Sequence, residues 1–141
     1  MKKLLLLLAL LTSLFSVELG WMDDYKQALV DAKKENKLIY LLITSSTCSW
    51  CQMFKDITLQ DKKLIQRLEK EFITVQLVRD FDKIPEGFES SPVPRHYFTD
   101  SDGVMLYNSL GYRDEETFEV FIDNAEEKFE MNNENKSKGK K

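Results

Sequence analysis

Apolar residues recur along the chain with two spacings, and the change of spacing predicts alternating helices and strands. Helical spacing covers Asp23–Asn36, whereas Leu38–Ile43 is apolar at every position, as expected for a strand buried on both faces. Helical spacing returns after the second cysteine and again from Asp61, before an alternating stretch predicts a strand at Ile73–Val78. This order predicts two parallel strands joined by a right-handed crossover.

The second half of the chain predicts a hairpin and a final helix. Ser91–Thr99 contains a strand that is announced by prolines, Asp100–Gly103 has the composition of a hairpin turn, and Val104–Tyr107 pairs back. Asp114 is expected to cap the last helix. The composition of residues 131–141 predicts a disordered polar tail. Together these elements predict an α/β domain whose central mixed sheet is flanked by helices.

Residues 1–16 have the three parts of a secretory signal peptide. Two lysines precede the unbroken apolar run Leu4–Leu11, and small residues then offer a cleavage site after Ser16. The run is short for a bilayer-spanning helix, although an uncleaved N-terminal anchor is an alternative interpretation. Cleavage would leave residues 17–130 as the folded domain. Export would place it in an oxidising compartment, which is the periplasm if the host is a Gram-negative bacterium.

The overall composition suits one globular domain and limits the classes of function. The 141 residues are 43% hydrophobic and 31% charged, which is enough for a single core. The net charge of −4, with no basic stripe outside the extreme ends, argues against a nucleic-acid partner. No metal or organic cofactor is implied.

The chain has only two cysteines, and their context predicts a redox dithiol. Cys48 and Cys51 stand between the first predicted strand and a helix. At a helix N-terminus, unpaired N–H groups and the helix dipole favour the thiolate of Cys48. Cys51 lies one turn later on the same face and can attack a mixed disulfide formed at Cys48. We therefore predict that Cys48 is the attacking thiol and Cys51 the resolving one.

Three other interpretations of the cysteine pair compete with redox chemistry. Haem attachment requires a histidine after the second cysteine, where Gln52 stands. Zinc takes about four ligands, so the two cysteines and His96 would need a carboxylate or a second chain. A structural disulfide is the simplest alternative, but so short a loop constrains the unfolded chain little.

These motifs resemble the thioredoxin superfamily over about Trp21–Phe129, and most of all its small exported bacterial members. The shared features are a first helix, an apolar strand, the Cys-x-x-Cys and a charged helix pair. The resemblance implies a thioredoxin-like fold with the Cys-x-x-Cys at a helix N-terminus. In the superfamily a proline before the third strand has a cis peptide bond and lies against the dithiol. Val93-Pro94 occupies the matching place.

The chain also departs from the superfamily pattern. Leu42 replaces the buried aspartate of thioredoxins, so Cys51 must lose its proton to water or to another group. The dipeptide Ser49–Trp50 between the cysteines is neither Gly-Pro nor Pro-His, the pairs common in the superfamily. The reduction potential of this chain therefore cannot be inferred from that of its relatives. Arg95 is expected to point to solvent rather than to raise the positive electrostatic potential around Cys48. His96 is expected to be a polar strand position rather than a catalytic base.

The combined evidence predicts an exported thiol–disulfide oxidoreductase that exchanges its Cys48–Cys51 pair with substrate proteins. Ser49 and Trp50 would form part of the contact surface, and Val93-Pro94 would offer backbone groups to an extended substrate. Its partners would be proteins with disulfides or thiols, and a membrane or soluble redox partner. The lack of an inserted helical domain favours a reductase. The alternatives are a peptide-binding module without redox turnover and a purely structural exported domain.

Overall fold

The centre of the sheet is a strand that is buried along its whole length. The computed structural model describes residues 18–139. All seven residues of β1 (Leu38–Thr44) are buried, because side chains on both faces are apolar and both faces are covered. The strand order is β2 (Phe72–Val78), β1, β3 (Arg95–Thr99) and β4 (Met105–Leu110). Among the strands described, β2 alone runs parallel to β1 and the others are antiparallel to their neighbours, which confirms the predicted mixed sheet.

Within residues 18–139 four helices surround the sheet, and each follows a residue whose side chain caps it. They are α1 (Tyr25–Glu35), α2 (Ser49–Asp56), α3 (Lys62–Glu71) and α4 (Glu115–Lys138). The capping residues are Asp24, Cys48, Asp61 and Asp114, each accepting a backbone N–H of the first turn. A 3₁₀ turn at Thr58–Gln60 joins α2 to α3.

The two faces of the sheet are covered differently. Helices α2, α3 and α4 pack on one face over the larger apolar cluster, which includes Tyr40, Phe54 and Phe118. Helix α1 and the irregular segment between β2 and β3 cover the smaller cluster on the other face. We call these the helical face and the loop face.

Two sequence expectations need correction. The predicted disordered tail is helical as far as Lys138, because α4 continues outward from its packed residues. Its exposed polar residues suit a solvated helix, and Glu134 pairs with Lys138 one turn later at 3.6 Å. The strand predicted from Ser91 begins only at Arg95, since the intervening prolines have no N–H for the ladder.

The predicted signal peptide at residues 1–16 lies outside the described residues. Among residues 18–139, every helix is too short or too polar to cross a bilayer.

Candidate active site

The two cysteines lie where β1 passes into α2, and they are joined by a disulfide. Their Cα atoms are 5.3 Å apart. Cys48 is the N-cap of α2, and its Sγ accepts the N–H of Cys51 at 3.0 Å. The sulfur-bearing side chain of Cys48 is half-buried, whereas Cys51 is only 2% exposed. An incoming thiol or disulfide therefore meets Cys48 first.

The surroundings of the disulfide are polar and favour an anion at Cys48. Within residues 18–139 the N–H groups of Ser49 and Trp50 have no hydrogen-bond partner, and they belong to the positive end of the α2 dipole. A concavity of about 320 Å³ adjoins both cysteines, with the ammonium-bearing Lys55 in its wall. Its remaining lining is mostly hydroxyl side chains, from Thr44, Ser45, Ser46, Thr47 and Ser49.

The loop that carries Cys48 is anchored to the segment after β2. The Asp80 carboxylate accepts the N–H of Ser46 at 2.7 Å, and this hydrogen bond lowers the pKa of Asp80. The N–H of Arg79 donates to the Thr44 carbonyl at 3.0 Å. The sequence offered no signal for these contacts, because they join residues more than thirty positions apart.

The Val93-Pro94 segment leaves the sheet at the same end as the disulfide loop. Ile43 near the end of β1 pairs with Arg95 at the start of β3, so the two loops emerge from neighbouring strands. The Ser91–Pro92 and Val93–Pro94 peptide bonds are both cis. Neither the N–H nor the C=O of Val93 makes a hydrogen bond within the described part of the chain. Both groups are available to an extended partner strand.

Arg95 does not point to solvent as expected, since its side chain is only 15% exposed. Its Nε and one Nη donate to the carbonyls of Pro92 and Ser91, each at 3.2 Å. The same guanidinium pairs with the carboxylate of Glu89. Arg95 therefore holds the proline segment, because its planar fork reaches two carbonyls at once.

His96 is fully buried on the helical face. Its Nε2 lies 2.9 Å from the Gly111 carbonyl, which only accepts, so this nitrogen carries the proton. Its Nδ1 then accepts the hydroxyl of Tyr40 at 2.9 Å. Burial, opposed by the Gly111 hydrogen bond and aided by the charge of Arg113, lowers the pKa of His96 to about 4. Both ring nitrogens are occupied, so His96 offers no lone pair to a zinc ion completed with the two cysteines.

Gly111 connects this histidine to the rim of the site. Its φ of +94° is a conformation that favours glycine. Its N–H donates to the Pro94 carbonyl at 2.8 Å, while its own carbonyl accepts from His96. The next residue, Tyr112, meets the exposed ring of Trp50 at a centroid distance of 6.0 Å.

The predicted site residues therefore lie on one surface of the molecule. Ser49 and Trp50 are exposed beside the disulfide, and Gly111 ties the Val93–Pro94 segment to the same surface through Tyr112. Sequence reasoning missed Tyr40, Asp80 and Tyr112. For Tyr112 the sequence did offer a signal, because the Gly111-Tyr112 pair stands just before the last helix.

Comparison with known proteins places the chain among thioredoxin-like folds. The family model "Thioredox_DsbH: Protein of unknown function, DUF255" matches residues 10–86, which include both cysteines and end before Val93. Human spermatogenesis-associated protein 20 is 34% identical over 68 residues, which are 45% of this chain and 9% of that protein. The chain thus spans only a small part of that curated relative.

Solved structures support the same fold. A structure described as "DsbH Oxidoreductase" superposes with a TM-score of 0.60 and 21% identity, covering 81% of this chain and 89% of that one. A thioredoxin from Thermus thermophilus has a TM-score of 0.60 and 20% identity, covering 78% of this chain and 86% of that one. The fold is therefore thioredoxin-like, with the Cys-x-x-Cys disulfide at the start of a helix.

Proposed function

The chain belongs to the Thioredox_DsbH family, and from this premise we propose that it is a thiol–disulfide oxidoreductase acting on protein substrates. The observation that carries the proposal is the unequal exposure of the two cysteines. Cys48 is half-buried at a helix start, whereas Cys51 is 2% exposed beneath it. This asymmetry supports attack by Cys48 and resolution by Cys51. The structural neighbour described as an oxidoreductase supports the same class of reaction.

In the reducing direction the exchange takes two steps. The Cys48 thiolate attacks one sulfur of a substrate disulfide, which forms a mixed disulfide and releases the first substrate thiolate. The Cys51 thiolate then attacks the Cys48 sulfur, which releases the second substrate thiolate and leaves the Cys48–Cys51 disulfide. The substrate gains two electrons and two protons, and the protein loses them. The oxidising direction is the reverse.

Leu42 stands in the apolar core, so no carboxylate at that position takes the proton of Cys51. The buried His96 does not replace it, because both of its nitrogens are engaged with Tyr40 and Gly111. We propose that water entering the hydroxyl-lined concavity beside Cys51 accepts this proton.

Substrate binding would use the exposed surface around Cys48. Ser49 and Trp50 border the sulfur, and the free N–H and C=O of Val93 suit an extended backbone. Pro94 is buried, and its carbonyl accepts the Gly111 N–H, which fixes the segment that carries Val93. Two backbone hydrogen bonds at this edge would orient a substrate chain whatever its side chains are.

We propose that the protein is exported, as the character of residues 1–16 suggests, and that it serves as a reductase. In an oxidising compartment such a reductase needs a membrane or soluble donor to restore its dithiol. Equilibrating the pair against glutathione tests the direction. A potential below about −250 mV agrees with a reductase, whereas one near −120 mV, typical of a strong oxidant, contradicts it.

Reduction of insulin by dithiothreitol tests the activity itself. We expect the parent protein to accelerate insulin precipitation and the Cys48→Ser variant to lose the acceleration entirely. Cys51→Ser, the matched control, should also lose turnover, and the reduced variant mixed with insulin without dithiothreitol should accumulate a mixed disulfide at Cys48, because the resolving thiol is gone. A Cys48→Ser protein as active as the parent contradicts the assignment. A parent protein that binds unfolded insulin without reducing it indicates a peptide-binding module instead.

A further inference from the structure

Three large apolar side chains lie on the exposed side of α2. Trp50 and Ile57 are each 57% exposed, and Met53 is 40% exposed. Their spacing of three and four residues puts Trp50, Met53 and the C-cap residue Ile57 on one side of the helix, next to the side that carries the buried Cys51 and Phe54. Tyr112 adjoins this row at Trp50. We call Trp50, Met53, Ile57 and Tyr112 the apolar ridge; it begins between the two cysteines and leads away from them.

The far end of the apolar ridge meets the acidic start of α4. A concavity of about 330 Å³ lies between Ile57, Tyr112 and this helix start. The Asp114 carboxylate is committed to capping α4, since it accepts the N–H of Thr117 at 2.9 Å. The carboxylates that remain belong to Glu115 and Glu116, which are exposed and form no ion pair within residues 18–139.

The neighbouring cation does not neutralise these two carboxylates. Arg113 donates from Nη1 to the Tyr112 carbonyl at 2.7 Å, and its guanidinium lies 5.7 Å from the centroid of Phe121. Its charge is therefore turned toward the helical face. The free charge at the end of the apolar ridge is negative, and a cation on a partner would complement it.

Resting on the proposed function, we propose that the apolar ridge and Glu115–Glu116 select substrate segments that carry a basic residue. An apolar side chain of the substrate would lie on the ridge beside its reacting cysteine, and a lysine or arginine would reach the carboxylates. From Trp50 to Ile57 the helix rises roughly 10 Å, which about three residues of extended chain cover. The basic residue would therefore stand about three to five positions from the cysteine.

The test uses short peptides whose cysteine carries a neutral 2-thiopyridyl leaving group. The Cys48 thiolate of the reduced protein attacks the peptide sulfur and releases pyridine-2-thione, and Cys51 then displaces the peptide thiol. The peptides share an apolar residue after the cysteine and differ only in Lys, Gln or Glu four positions away. We expect the Lys peptide to react roughly fivefold faster than the Gln peptide, and the Glu peptide to react more slowly.

Two double variants that each remove two negative charges decide whether the carboxylates at the end of the apolar ridge cause the Lys preference. Glu115→Gln with Glu116→Gln should abolish the Lys preference, so that the Lys and Gln peptides react at the same rate with this variant. Glu127→Gln with Glu130→Gln, exposed positions farther along α4, should keep the preference. Equal rates for all three peptides with the parent protein overturn the proposal, and so does a preference that survives the first variant.

Failure of the proposed function is distinguishable from failure of this inference. If no peptide reacts, including the Gln peptide, the oxidoreductase assignment fails. Binding of peptides with serine in place of cysteine, followed through the emission of Trp50, then still decides the selectivity. A dissociation constant that is the same for Lys and Glu peptides overturns it. A dimer in solution that Ile57→Lys dissociates also overturns it, because a second copy would then occupy the ridge.

Discussion

The two faces of the sheet hold the two halves of the candidate site by different means. On the helical face, rings and aliphatic side chains pack against one another and fix the helix that carries the disulfide. On the loop face, side chains hydrogen-bond to an irregular backbone and fix the proline segment. The comparison teaches that the helix of the disulfide is positioned mainly by apolar burial, whereas the substrate edge is positioned by a few polar contacts.

The helical face is dominated by aromatic contacts. Phe54, one turn after Cys51, meets Phe118 at 5.1 Å and His96 at 4.8 Å between ring centroids. Tyr40 meets Phe118 at 5.2 Å from the strand below. Such pairs add to the free energy of burial, so a change in one ring is transmitted to the helix of the disulfide.

The loop face relies on side chains that grip the backbone. The Tyr97 hydroxyl accepts the N–H of Glu89 and donates to its carbonyl, both at 3.0 Å. Asp82 accepts the N–H of Val78 at 2.6 Å. Phe88 supplies an apolar contact, with its ring centroid 5.1 Å from Tyr25 and 4.9 Å from Tyr97. Each polar contact contributes little on its own, about 1 kcal/mol.

Truncating one phenylalanine on each face tests the comparison most strongly. Phe118→Ala should lower the free energy of unfolding by about 3–5 kcal/mol, because it empties a fully buried site among five rings. Phe88→Ala, at a half-buried site, should cost about 1–2 kcal/mol. Urea unfolding of the oxidised proteins measures both. Equal losses contradict the distinction between the two faces.

The second prediction concerns pH and the neutral state of His96. The unfolded histidine takes up its proton near pH 6.5 and the folded one only near pH 4. The unfolded state therefore binds more protons between these values, and stability falls as pH drops from about 6.5 to 4. The loss amounts to roughly 3 kcal/mol at pH 4, and it saturates below that value.

A variant isolates this contribution from other titrations. Burial and the nearby Glu71 raise the pKa of Glu126 to about 7, which acts in the opposite direction because the folded state then binds the extra proton. That contribution is common to the parent and to His96→Gln, so it cancels in their difference. We expect His96→Gln to be less stable than the parent at pH 7 and to lose less stability between pH 7 and pH 4. Parallel pH profiles of the two proteins would exclude titration of His96 as the cause.

The sequence predicted what depends on neighbouring residues. Periodicity located β1, and local chemistry identified Asp114 as a cap and the cysteines as a pair at a helix start. The role of His96 was not predictable, because its partners are 56 and 15 positions away and either strand face would have accepted a histidine. The same holds for Arg95, whose carbonyl partners depend on the path of an irregular loop.

The end of α4 was mispredicted for a different reason. Its last residues have no apolar face, so periodicity carried no information there. Helical backbone hydrogen bonds nevertheless continue as far as the Gly139 N–H, which donates to the Asn135 carbonyl at 3.0 Å. The polar composition correctly predicted that this segment is exposed to solvent, but wrongly predicted that its backbone is disordered. Solvated residues also form a helix when they continue one that is already packed.

The smallest predicted effect separates substrate binding from stability. Arg95→Lys keeps the charge but loses the fork that holds the carbonyls of Ser91 and Pro92, so the Val93 edge becomes less ordered. We expect the KM for a disulfide peptide to rise roughly two- to threefold, since one ordered contact of about 0.5 kcal/mol is lost, with kcat unchanged. The free energy of unfolding should change by less than about 1 kcal/mol.

Arg67→Lys is the matched control, because Arg67 makes an equally dense set of contacts on the helical face. It donates to Asp123 at 2.7 Å and to Glu126 at 2.8 Å, and pairs with Glu71 at 3.1 Å. Its replacement should lower stability by about 1 kcal/mol and leave KM unchanged, since these contacts join α3 to α4 and not to the substrate edge. If Arg67→Lys raised KM as much as Arg95→Lys, the two faces would not position the sulfurs and the substrate edge separately.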